Sequence, residues 1–169
     1  MSEKILVVDD EKSIREALSK VLRAENYEVL LAETGLAAVE RYGAGRIDLL
    51  LLDLNLPGGN GWATLDWLAK VNPLLPVIII TGRANQRALA ERSGADALME
   101  KPLDVPLLLR TIRELLDEPM ESRAQRASQR TSSFRFIPCN EQLLREMLAE
   151  RFTVPYPAPE CAWHVAAKV

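Results

Sequence analysis

Five polar residues each stand at the end of a short apolar run: Asp9, Asp10, Asp53, Thr81 and Lys101. Ile5-Leu6-Val7-Val8 runs into Asp9-Asp10, and Leu49 to Leu52 runs into Asp53. Val77-Ile78-Ile79-Ile80 ends at Thr81, and Ala97 to Glu100 ends at Lys101. Three carboxylates gathered in one place repel; at an effective dielectric of ~20, unit charges about 4 Å apart cost about 4 kcal/mol. A hard divalent cation offsets that repulsion, and Mg²⁺ typically takes one or two carboxylates together with waters and a phosphate oxygen. Lys101 adds a fixed positive charge suited to a phosphate, and the Thr81 hydroxyl adds a hydrogen bond. In such a setting an aspartate can itself be the nucleophile and become an aspartyl phosphate. Taken alone, Asp53 reads first as the opening residue of a turn, since Asn55, Pro57, Gly58, Gly59 and Gly61 follow it. What argues for chemistry is the recurrence of polar residues at one structural position.

That position depends on the elements around it. A continuous apolar run bounded by turn residues fits a strand buried on both faces, as in a parallel sheet. Between the runs, Ile14, Ala17, Leu18, Val21 and Leu22 recur at helical spacing. Tyr27 to Ala32 reads as a second strand, and Thr34 as the cap of a helix from Gly35 to about Tyr42, which Gly43 can end. Trp62, Leu65 and Leu68 mark a helix stopped near Asn72-Pro73, with the tryptophans expected in packing rather than ligand binding. A weaker helix runs from Ala84 to Arg92, and Leu108, Ile112, Leu115 and Leu116 form the last stripe. The alternation predicts a (βα)₅ α/β fold with a parallel five-stranded sheet. All strands then end on one edge, where open α/β sheets place their ligands.

The segments ILVVDDEKSIR, LLLLDLNLPGGNG, PVIIITGRA and GADALMEKP together resemble the receiver domain of bacterial two-component response regulators, the CheY-like superfamily. The resemblance covers residue 4 to about 117. It implies a doubly wound, flavodoxin-like sheet of strand order 2-1-3-4-5. It also implies that Asp53 takes a phosphoryl group from a sensor histidine kinase or a histidine phosphotransfer protein. Asp10 would bind Mg²⁺ directly, Asp9 through water, and the Asn55 backbone carbonyl would be a further ligand. Lys101 would pair with the phosphoryl group, with a cis bond to Pro102. Thr81 would move towards the phosphoryl oxygen, and Gly82 would leave room for it. The implied role is that of a signalling phospho-acceptor that catalyses only its own phosphorylation and dephosphorylation.

Two positions depart from or tune that pattern. Leu98 stands where the family usually has Tyr or Phe, a ring that couples the site to the face of the fourth helix, fifth strand and fifth helix. That face is where the resemblance allows a phosphorylation-dependent homodimer. Leu98 is read either as a tolerated aliphatic or as a sign of altered coupling. Arg83, with Asn55, lies where the family tunes dephosphorylation; an exposed, solvated arginine is the plainer reading.

Composition sets the remaining expectations. The 169 residues carry a net charge of −3, which argues against a chain-wide polyanion-binding surface. Residues 1–118 hold 14 Lys+Arg against 19 Asp+Glu, and residues 119–169 hold 7 against 5, so the ends differ in sign. The N-terminus lacks the long apolar stretch of a signal peptide, and no run is long enough to span a bilayer, so a cytoplasmic, soluble protein without membrane partners is expected. Cys139 and Cys161 have no zinc-site spacing, and His164, the sole histidine, reads as incidental. Three regions are expected: a receiver over 1–118, a polar linker or frayed helix over 119–138, and an extension over 139–169 with one amphipathic helix at about 141–152. No winged-helix, P-loop or cyclase-like output is recognised in that extension, so nucleic acid is not expected as a partner and signalling by protein docking is. The alternatives are a transcription regulator with a truncated or atypical DNA-binding output, and an unphosphorylated pseudo-receiver scaffold.

Overall fold

A computed structural model of the chain describes residues 2–59, 61–83, 85–129 and 134–139. The short runs rich in Ile, Val and Leu extend into strands, where branched side chains fit a pleated surface. Among the described residues these are β1 (Lys4–Val8), β2 (Glu28–Ala32), β3 (Leu49–Asp53), β4 (Val77–Thr81), β5 (Ala97–Glu100) and β6 (Arg135–Ile137). They form one sheet in the order β2-β1-β3-β4-β5-β6, with every neighbouring pair parallel. The helices among the described residues are α1 (Lys12–Ala24), α2 (Gly35–Gly43), α3 (Gly61–Val71), α4 (Arg87–Arg92), α5 (Val105–Leu116) and α6 (Met120–Gln129), and a 3-10 turn spans Pro57–Gly59.

Side chains alternate across β3. Leu49 and Leu51 join Ile5, Val7, Ile78 and Ile80 beneath Leu18 and Leu22 of α1 and Leu108, Ile112 and Leu115 of α5. Leu50 and Leu52 join Leu6, Val8 and Ile79 beneath Ala38 of α2, Leu65 and Leu68 of α3 and Ala90 of α4. The sheet is therefore covered on both faces, and the four leucines are fully buried. At roughly 2 kcal/mol for each buried leucine side chain, this run is a large share of what holds Asp53 in place. Trp62 packs against the second cluster, and Trp67 meets the Tyr42 ring edge-on at 6.3 Å.

Local chemistry sets the helix ends. Thr34 Oγ1 accepts from the Ala37 N–H at 3.1 Å, and Asp104 Oδ1 accepts from the Leu107 N–H at 3.0 Å, each capping the helix that follows. At the end of α1, Asn26 is left-handed (φ 67°), with its N–H on the Arg23 carbonyl and the Tyr27 N–H on the Leu22 carbonyl. That is a Schellman closure, and it holds Tyr27 outside the second strand, which begins at Glu28. Asn85 is also left-handed (φ 60°), so α4 begins at Arg87 and is shorter than the apolar pattern predicts.

The expected five-strand order is present, but a sixth strand extends it. The segment expected as a polar linker or frayed helix carries α6 and, after it, β6. Only the strand was invisible in sequence. The helix is polar nearly all round, and Arg135-Phe136-Ile137 is too short to show alternation. The expected helix at about 141–152, like Cys161 and His164, lies outside the described residues. No described helix is long and apolar enough to cross a membrane.

Gly61, which opens α3 behind the Asp53 turn, sits so close to the backbone that a Cβ would come within 2.7 Å of Leu54 Cα and O. Gly61→Ala is therefore expected to destabilise by about 1–3 kcal/mol through overpacking, despite a helix-propensity gain of about 1 kcal/mol. At Gly43 nothing lies within 4 Å of the added carbon, and Gly43→Ala is expected to be neutral or stabilising. Urea midpoints of the two variants check this pair, and equal stability would refute it.

Candidate functional site

Because every strand is parallel, β1, β3, β4 and β5 deliver their C-terminal residues to one edge. Asp9 follows β1, Asp53 ends β3, Thr81 ends β4 and Lys101 follows β5. Asp9 and Asp53 are only 2% exposed and Thr81 is fully buried, while Asp10 is exposed. Carboxylate oxygens of Asp9, Asp10 and Asp53 lie within 4.8 Å of one another. Lys101 Nζ donates to Asp53 Oδ2 at 2.7 Å and to Asp9 Oδ2 at 2.8 Å. The second oxygen of each buried carboxylate is also engaged: Asp9 Oδ1 accepts from the Glu11 N–H at 2.8 Å, and Asp53 Oδ1 from the Asn55 N–H at 2.8 Å.

Burial pushes the Asp9 carboxyl above its ordinary value; hydrogen bonds from Lys101 and the Glu11 N–H oppose this, and the Asp53 charge adds to it. Burial alone would pull Lys101 down, but its hydrogen bonds to Asp53 and Asp9, with their charges, more than offset that and leave it raised. Three carboxylates against one ammonium leave the cluster two charges short of neutrality. The donor set is all oxygen, and one member is exposed, so the cluster suits a hard divalent cation approaching from solvent.

The remaining residues from the sequence reading gather at the same edge. The Lys101 N–H donates to the Thr81 carbonyl at 2.8 Å, tying the two strand ends together, and Lys101-Pro102 is cis. Thr81 Oγ1 accepts from the Arg83 N–H at 3.0 Å, while the Arg83 side chain is exposed. A Cβ on Gly82 would lie 3.8 Å from Asn55 Nδ2, and Asn55 Oδ1 is buried with no protein partner. Gly58 takes a left-handed turn (φ 78°) in the loop after Asp53, a conformation glycine adopts without strain. Leu98 is different: it is fully buried in β5, within the core cluster under α4.

Sequence reasoning missed Arg15. Its Nη1 donates to the carbonyls of Asp9 at 2.7 Å and Asp10 at 2.9 Å, and its Nη2 lies 3.6 Å from Glu33. It thus fixes the turn that presents two of the three carboxylates. Nothing in its spacing reveals this, because a polar residue beside an amphipathic stripe ordinarily faces water.

Residues 5–113 match the family model described as the response regulator receiver domain. The chain belongs to this family. Response regulator MprA of Mycobacterium bovis is 34% identical over 138 residues, covering 78% of this chain and 60% of that protein. Transcriptional regulatory protein CusR of Escherichia coli is 36% identical over 115 residues, covering 67% of this chain and 51% of CusR. This receiver chain thus spans about half to three-fifths of the length of these relatives. Among solved structures, the response regulator TrrA of Thermotoga maritima, in complex with Mg²⁺-BeF, is 32% identical with a TM-score of 0.63, covering 67% of this chain and 98% of that one.

Lys101 is the ammonium between two buried carboxylates, so Lys101→Met leaves both uncompensated. Without divalent cation, a loss of about 3–5 kcal/mol is expected near neutral pH. A carboxyl with a raised folded pKa contributes stability below its unfolded value that is lost as pH rises through the folded one. The variant's deficit should therefore shrink on acidification, as Asp9 takes a proton from above its ordinary range. Chemical denaturation from neutral to mildly acidic pH reads this, and a pH-independent deficit would exclude it.

Proposed function

We propose that this chain is the phosphoryl-accepting switch of a two-component or phosphorelay system, with Asp53 as acceptor and the phosphohistidine of a sensor kinase or phosphotransfer protein as donor. One observation carries the reading. Lys101 bridges Asp9 and Asp53 while a third carboxylate lies within 4.8 Å, a cluster that lacks two positive charges and already holds a phosphate-binding ammonium. In the transfer, an Asp53 carboxylate oxygen attacks phosphorus and the phosphorus–nitrogen bond to histidine breaks. The imidazole leaves with the bonding pair and is protonated, and the product is a mixed anhydride. Lys101 shifts from carboxylate to phosphoryl oxygen, the Thr81 hydroxyl donates to a second phosphoryl oxygen, and Gly82 keeps space beside it. Asp9, Asp10, Asp53 and the Asn55 carbonyl would hold Mg²⁺, which when bound neutralises charge on the entering phosphoryl group. With nucleophile and charges fixed in advance, the protein's part is positioning and electrostatic stabilisation, as is general for phosphoryl transfer.

Hydrolysis of the anhydride resets the switch. Asn55 and Arg83 stand next to the acceptor and Thr81 respectively, and in this reading they set water access and hence the lifetime. The protein acts in signalling, and its catalysis is limited to its own phosphorylation and dephosphorylation.

A second reading concerns output. CusR is named a transcriptional regulatory protein, and that supports a receiver governing DNA binding rather than protein docking alone. The sequence-based expectation that nucleic acid is not a partner therefore loses its support. Affinity for DNA that falls steeply with salt and rises on phosphorylation would favour this output.

Acetyl phosphate with Mg²⁺ is expected to add one phosphoryl group, visible by intact mass, and Asp53→Asn is expected to abolish it. Mg²⁺ at ten times its dissociation constant should stabilise the wild type by about 1.4 kcal/mol, and Asp10→Asn should largely remove the shift. A wild-type chain that stays unphosphorylated would leave the pseudo-receiver scaffold as the standing reading.

A further inference from the structure

β6 does more than extend the sheet. It is held by three elements at once, and two of its contacts lead straight to the acceptor edge. In register, Arg135, Phe136 and Ile137 stand beside Ala97, Leu98 and Met99. Phe134 and Phe136 pack on the Leu98 side of the sheet, and Ile137 packs on the Met99 side. The Arg87 guanidinium of α4 lies 5.2 Å from the centre of the Phe136 ring, and Arg135 pairs with Glu114 of α5. Just past the strand, the Cys139 N–H donates to Glu100 Oε2 at 2.9 Å.

Glu100 precedes Lys101 and stands in register with Thr81, whose carbonyl accepts from the Lys101 N–H. Arg87 opens the helix that follows the Thr81–Arg83 turn. Two of the contacts that seat β6, Glu100 with Cys139 and Arg87 with Phe136, therefore reach the chain on either side of the switch residues. Three half-buried residues make a small docking interface, of the kind that opens at a fraction of the global unfolding free energy.

We propose that β6 is an intramolecular latch on the β5 edge that loosens when Asp53 is phosphorylated. This rests on the phosphoryl-acceptor reading and names how that site is regulated. Lys101 Nζ sits directly on Asp53 Oδ2, at 2.7 Å. A phosphoryl group on Asp53 places its oxygens where the ammonium now sits, so Lys101 must withdraw and the backbone at Glu100, at Thr81–Arg83 and at Arg87 must adjust. β6 is fitted to Glu100 and Arg87 as they stand, and their adjustment removes its contacts with both. An undocked β6 uncovers the β5 edge and the Leu98 side of the sheet, where Phe134 and Phe136 now pack. It is then the chain's own residues 134–139 that occupy that surface in the resting state and deny it to any other strand. Coupling between sites is reciprocal, so weakening the latch must favour the phosphorylated form by the same factor.

The test is hydrogen exchange on the full chain with Mg²⁺, with and without beryllofluoride as phosphoryl mimic. Phosphorylation by acetyl phosphate is read separately by mass. Exchange of the 135–137 amides is expected to speed up tenfold or more with the mimic, while the β1 amides stay unchanged. Phe136→Ala is expected to bind the mimic several-fold more tightly, and Arg87→Ala, altered at an exposed side chain, serves where the first variant loses β1 protection. If Asp53 is phosphorylated yet 135–137 exchange is unchanged or slowed, and both variants bind the mimic like the wild type, the latch is overturned and the switch stands. A chain that accepts neither phosphoryl group nor mimic overturns both.

Discussion

The interaction on which the structure turns is the Lys101 ammonium held between two buried carboxylates. Burying Asp9 and Asp53 at the mouth of a parallel sheet is unfavourable unless each is paired, and one lysine serves both. Every other feature of the edge follows from that constraint. The main-chain donors of Glu11 and Asn55 satisfy the outer carboxylate oxygens, Arg15 locks the Asp9–Asp10 turn, and the Lys101 N–H ties β5 to β4 at Thr81. The result is a site assembled from residues up to 92 positions apart in sequence, each with little freedom to move independently.

The same arrangement is deliberately incomplete in charge. A lysine that neutralises one of three carboxylates leaves a net negative field suited to a hard divalent cation. A second basic residue in place of Asp10 would make the edge electrically satisfied. The fold thus keeps the leucine run of β3 rigid beneath Asp53 while leaving the solvent side unsatisfied. Apolar burial and uncompensated charge meet across a single residue boundary, between Leu52 and Asp53.

Most of the architecture could be read from sequence because its signals were strong. Five strand runs, four of them ending in the site's polar residues, with helical stripes between them, specify a parallel sheet, and the sheet alone brings Asp9, Asp53, Thr81 and Lys101 together. What could not be read depended on tertiary partners. Arg15 looks like an ordinary solvated arginine until its guanidinium finds two carbonyls. α4 loses a turn because Asn85 adopts a left-handed conformation that competes with the helical pattern. β6 has three residues and no period of its own, and it becomes a strand only against β5. Leu98 is the instructive case: in sequence it is a missing ring, and in space Phe136 stands beside it in register, so an aromatic side chain adjoins that position from a different strand.

The placement of β6 also bears on how the molecule behaves in company. β5 is short and apolar, and without a neighbour it would end the sheet with unpaired N–H and C=O groups, a template for pairing with other chains. The strand that covers it is shorter still, carries Arg135, and is followed at once by Pro138, which has no N–H to offer. A chain cut where the receiver pattern stops would lose this terminator and present the bare edge to its neighbours. The residues beyond the recognisable domain thus help keep the sheet finite on its β5 side.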